Sequence, residues 1–106
     1  MSMKWKDSST DRLCEAILCL KTRDEMYRFL EDVGTIGELK ALAQRLEVAR
    51  LLHEGLNYGE ISRISGASSV TISRTKKALD YGTDGLLRVL ERLKARKEDA
   101  PEAEQA

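Results

Sequence analysis

Between Ser68 and Lys77 the chain reads SSVTISRTKK, with hydroxyls, cations and β-branched residues interleaved and no acid present. The hydroxyls of Ser68, Ser69, Thr71 and Ser73 can exchange hydrogen bonds with base edges or phosphate oxygens. The methyls of Val70 suit a thymine methyl. Arg74, Lys76 and Lys77 can neutralise phosphates, which adds affinity without base preference. Arg63 is a further phosphate candidate. Backbone amides at a helix start near Ser69 would also hold a phosphate. The chemistry on offer is binding of double-stranded DNA, provided one element presents these groups together.

Other chemistry is poorly served. His53 is the single histidine, near the end of a long apolar segment where a cation suits a helix dipole. It has no triad or metal partners at a useful spacing. Cys14 and Cys19 have neither redox nor metal-ligand spacing and read as structural thiols in a helix. Glu31 and Asp32 read as solvated helix surface, and no phosphate-cradling glycine loop is present. Without a convergent acid, base, nucleophile or metal set, the expectation is no enzyme and no metal.

The elements that must position the DNA-binding groups are helical. Leu13, Ile17 and Leu20 lie one turn apart behind Ser9 and Thr10 as candidate N-caps. Thr22 and Glu25 have capping-box spacing for a second helix, which carries Met26, Phe29, Leu30 and Val33 and stops at Gly34. Thr35 and Glu38 repeat the box for a third helix, which runs to Glu54 and ends at Gly55. Its leucines, valine and alanines cover more than one stripe, so it needs cover on several sides, and a second subunit would supply that. Short helices follow at 57–65 and 69–80, then a sixth from Thr83 or Asp84 with Leu86, Leu87, Leu90 and Leu93 on its apolar side. No alternating strand pattern occurs, so the expected class is all-α with about six helices.

Composition agrees. The 106 residues fit one small domain, 42% hydrophobic and 34% charged. No apolar run is long enough to span a bilayer. The opening MSMKWKDSSTDR has no apolar signal core, so the expected location is cytoplasmic. The 18 basic and 18 acidic residues cancel, yet they are segregated. Five cations against Glu91 lie between Arg88 and Lys97, and KARK at 94–97 is a further candidate for the DNA backbone. The last nine residues, EDAPEAEQA, carry four acids and the single proline. The expected organisation is a helical DNA-binding domain over 1–97 and an acidic disordered tail over 98–106. Trp5 either packs an N-terminal arm or is mobile.

Residues 57–80 then read as a helix-turn-helix. Gly66 sits at the sharp turn, where positive φ costs glycine little. Ile61 and Ile64 point inward before it; Ile72, Thr75 and Leu79 point inward after it. The opposite stripe holds Val70, Ser73, Arg74 and Lys77. A second helix of this kind enters the major groove by its N-terminal residues. The function expected is a sequence-specific DNA-binding transcriptional regulator, a repressor, acting as a homodimer. The alternative is a helical interaction module whose helix-turn-helix docks a protein partner.

SGASSVTISRTKKAL resembles the reading-head segment of the Trp repressor family, and most closely its TrpR-related YerC/YecD branch, with GASxxTISR as the shared core. The flanks ELKALAQRLEVARLLHEGLNYGEI and DYGTDGLLRVL fit the same branch, and the resemblance covers about residues 10–95. It implies an intertwined all-helical homodimer. It also implies two reading helices in successive major grooves of a roughly palindromic site, and the Trp repressor is itself a standard example of that docking. Arg45 and Arg74 match the two arginines that hold tryptophan in the Trp repressor, so with Thr75 they mark a candidate effector pocket. The Trp repressor has a glycine where this chain has Thr75, and that glycine leaves room for the indole. The branched Thr75 argues against tryptophan, leaving another effector or constitutive DNA binding. The resemblance offers no other cofactor.

Overall fold

Local caps punctuate the chain into its helices. In the computed structural model, residues 3–99 are described, with side chains through residue 97. They form α1 (Ser8–Cys19), α2 (Arg23–Val33), α3 (Ile36–His53), α4 (Tyr58–Ser65), α5 (Ser69–Tyr81) and α6 (Gly85–Asp99), with no strand among the described residues. The all-α, six-helix expectation therefore holds.

The caps differ from expectation in detail. Asp7, and not Ser9 or Thr10, begins α1: its carboxylate accepts the Thr10 amide at 2.9 Å, and the Asp7 amide donates to the Thr10 hydroxyl at 2.8 Å. A carboxylate one residue before a helix is a strong acceptor for its free amides. Hydrogen bonds to Thr10 hold the Asp7 carboxyl below its ordinary pKa. Thr22 caps α2, yet the Glu25 carboxylate takes the Lys21 amide and not the cap amide. Thr35 and Glu38 form the complete reciprocal box that starts α3. The helix stops at His53, one residue before the expected end.

The chain divides into two compact units, Met1–Lys40 and Ala41–Ala106. The first holds α1, α2 and the opening turn of α3. Nothing in α1 or α2 is buried, and Leu13, Leu18, Tyr27, Val33 and Ile36 are all substantially exposed. Cys14 and Cys19 lie in α1 as expected, and both are exposed. Trp5 is exposed as well.

The second unit carries a core. Val48, Leu51, Ile61, Ala67 and Ile72 form one buried cluster, with Leu52 and Leu56 against it. It joins the C-terminal half of α3 to the α4–α5 pair. Burying the valine, leucine and isoleucine side chains contributes roughly 1.5–3 kcal/mol each. Leu90 of α6 is buried too, whereas Leu93 is 44% exposed. The N-terminal half of α3 is less covered: Leu42 is 56% exposed and Leu46 37%. The sixth helix runs through Asp99, two residues into the segment expected to be tail; 100–106 lie outside the described residues.

Candidate nucleic-acid interface

The helix-turn-helix is built from α4, the Gly66 turn and α5. Asn57 begins α4 with a full capping box, its side chain accepting the Glu60 amide at 2.9 Å while Glu60 accepts the Asn57 amide at 3.1 Å. Gly66 ends the helix in the left-handed region, φ 73°, and its amide donates to the Ser62 carbonyl. The turn is then tied by hydroxyls. Ser62 donates to the Ala67 carbonyl at 3.0 Å. Ser65 donates to the Ile61 carbonyl at 2.6 Å and accepts the Ala67 amide at 3.1 Å. Ala67 is buried at the bend, where only a small side chain permits close approach.

One inward residue was misplaced by spacing alone. Ile61 is buried, but Ile64 is 50% exposed. The next inward position after Ile61 is Ser65, four residues on and half-buried, with its hydroxyl satisfied by the Ile61 carbonyl. That turns Ile64 toward solvent.

On α5 the inward positions are as expected: Ile72 and Thr75 are buried and Leu79 half-buried. The Thr75 hydroxyl donates to the Thr71 carbonyl at 2.8 Å, which satisfies it inside the fold. Ser69, Val70, Ser73, Arg74 and Lys77 are all exposed along the opposite side. Helical spacing of three and four residues makes them one continuous stripe.

Three of the candidate DNA-binding residues are partly committed elsewhere. Ser68 is the N-cap of α5: its oxygen accepts the Thr71 amide at 3.2 Å, and its proton goes to the Thr71 hydroxyl at 3.3 Å. Thr71 is half-buried. Lys76 is exposed but pairs with Asp80 at 3.1 Å, and this hydrogen bond raises its pKa above the ordinary lysine value. The i, i+4 spacing of Lys76 and Asp80 was visible in the sequence; it was the missed signal there.

The arginines of the candidate effector pocket do not pair with Glu47 or Glu60. Glu47 binds Arg50, which also reaches Glu54 at 2.9 Å, and Glu60 is engaged in the α4 cap. Arg45 and Arg74 are exposed, while Thr75 is buried. A cleft of about 660 Å³ lies between the end of α3 and α6, lined by Arg50, His53, Glu54, Leu90, Leu93, Lys94 and Lys97. None of Arg45, Arg74 and Thr75 lines it. Among the described residues, no cluster of His, Cys, Asp and Glu suits a metal ion, and no helix is long and apolar enough to cross a membrane.

A family sequence model described as Trp repressor protein matches residues 8–94. The uncharacterized protein YerC of Bacillus subtilis strain 168 is 48% identical over 91 residues, which cover 86% of this chain and 88% of YerC. Two crystal structures share the fold. A TrpR-like protein from Eubacterium eligens ATCC 27750 is 49% identical with a TM-score of 0.83, over 87% of this chain and 95% of that one. A candidate Trp repressor from Staphylococcus aureus is 40% identical, also with a TM-score of 0.83, over 88% and 96% of the two chains.

Proposed function

This chain belongs to the Trp repressor family, whose members are DNA-binding regulators and not enzymes, and from that premise we propose that it is a sequence-specific transcriptional regulator, a repressor, acting as a homodimer on duplex DNA in the cytoplasm. One observation carries the reading. The exposed stripe Ser69, Val70, Ser73, Arg74 and Lys77 stands on a helix whose other side is anchored by buried Ile72 and Thr75. Ser69, Val70 and Ser73 are the base-reading groups. Arg74 and Lys77 are the phosphate groups, joined by Lys76 once it leaves Asp80. Ser68 and Thr71 serve as the cap that presents the α5 amides.

The homodimer is supported by apolar surface that one chain leaves uncovered, notably Leu42 and Leu46 of α3 and Ile36 at its start. Two copies related by a two-fold axis would present two α5 helices to a palindromic site. Tryptophan is not the effector in this proposal. Thr75 is buried with its hydroxyl bonded to the Thr71 carbonyl, which supports the reading that a branched side chain here leaves no room for an indole.

The test is selection of bound fragments from sheared genomic DNA at near-physiological salt, with no ligand added. Enrichment of a palindromic motif is the expected outcome. Uniform, salt-sensitive recovery would mean a nonspecific binder or one awaiting an effector, and no recovery would favour the protein-docking alternative.

A further inference from the structure

We infer that Gln44 of α3 is a positioning residue that fixes the angle at which α5 is offered to DNA, without touching DNA itself. The Gln44 side-chain amide donates to the Ser65 carbonyl at 3.2 Å from a half-buried position. This bond joins groups 21 residues apart. The other side-chain hydrogen bonds of the reading head span five residues or fewer.

That difference in reach separates two jobs. The hydroxyls of Ser62 and Ser65 bond only within 61–67, so they make the turn rigid as a unit. They do not set its orientation on α3. The core of Val48, Leu51, Ile61, Ala67 and Ile72 holds the unit down. Apolar burial is non-directional, however, so it does not by itself single out one orientation of the head. A hydrogen bond is directional and weakens steeply with distance and angle. Gln44, Val48 and Leu51 follow one another at four and three residues along one side of α3. The polar member therefore continues the α3 side that carries Val48 and Leu51, and its bond to Ser65 ties the turn to that side at one further point. Two α5 helices in a dimer must meet grooves of set spacing, so a rotation of the head changes specific binding more than nonspecific binding.

The inference rests on the DNA-binding reading, and the test separates the two. Gln44→Met keeps side-chain length and removes both donors. The first measurement needs no DNA: residual dipolar couplings of backbone amides in the full chain give the orientation of α5 against the C-terminal half of α3. A reoriented or motionally averaged α4–α5 pair is expected, with the amides of the turn still protected from exchange. Couplings identical to those of the wild type overturn the inference. The second measurement is DNA affinity. The specific-to-nonspecific ratio should fall roughly tenfold with an unchanged salt slope. A lower melting temperature with an unchanged ratio would make Gln44 a mere packing contact, and that too overturns the inference. Gln44→Glu, which sets a carboxylate against the carbonyl, should show the larger effect on both measurements. If the wild-type chain shows no sequence preference, the DNA reading fails, and the couplings alone still decide whether Gln44 sets the head.

Discussion

Ser73 lies at the middle of the exposed stripe of α5, one turn after Ser69 and one before Lys77. Ser73→Glu places a negative charge where the DNA surface would lie. Specific binding should vanish while the helical circular dichroism and the dimer mass persist; retained operator affinity would sink the assignment of this face. Lys77→Ala removes a charge and no base contact. Affinity for all sequences should fall about equally, and the slope of log K against log salt should flatten by about one. A loss confined to one sequence would instead make Lys77 a base reader. Residue chemistry at this scale was largely legible, because hydroxyl, cation and methyl each advertise what they bind. What needed the structure was which of these groups is already engaged. The Ser68 hydroxyl is spent on capping and Lys76 is held by Asp80; both partners lie within one turn, so spacing shows that they can pair and the folded helix shows that they do.

Two glycines bound α5 and its approach for different reasons. At Gly66 an added Cβ would meet nothing within 4 Å, but φ is 73°. Gly66→Ala should therefore cost about 1–2 kcal/mol in denaturant unfolding, the cost of the left-handed backbone alone. At Gly82 φ is −85°, an ordinary value. There the added Cβ would run into the carbonyl of Ala78, which is backbone and cannot swing aside. Gly82→Ala should thus be the more destabilising of the pair and should fray the end of α5. Equal losses would show that the Gly82 contact relaxes freely. The element boundaries were close to legible because caps act over three or four residues. Thr35–Glu38 formed as its spacing implied. Asp7 is the cap in place of Ser9 and Thr10, because Thr10 sits three residues on and completes the reciprocal box with it.

Across the whole chain, apolar residues are shared unequally between the two units. The Ala41–Ala106 unit buries a cluster around Val48 and Ile61, while α1 and α2 bury nothing. Association in solution should cover such surface, so the melting temperature should rise with protein concentration. Leu42→Glu should bring sedimentation to the monomer mass, since Leu42 is 56% exposed in the single chain and a charge there is tolerated by a monomer alone. A concentration-independent melting temperature and an unaltered mass would argue against a homodimer.

The amino-acid sequence by itself determined the six helices, their approximate ends and the outward stripe of α5. Each of those rests on neighbours within a turn or two along the chain, where the 3.6-residue period and the cap chemistry are local. Only the tertiary structure decided which isoleucine of α4 is covered and that Gln44 meets Ser65 across 21 residues. These depend on where a distant segment folds back, and no local spacing encodes the meeting of two side chains brought together by packing.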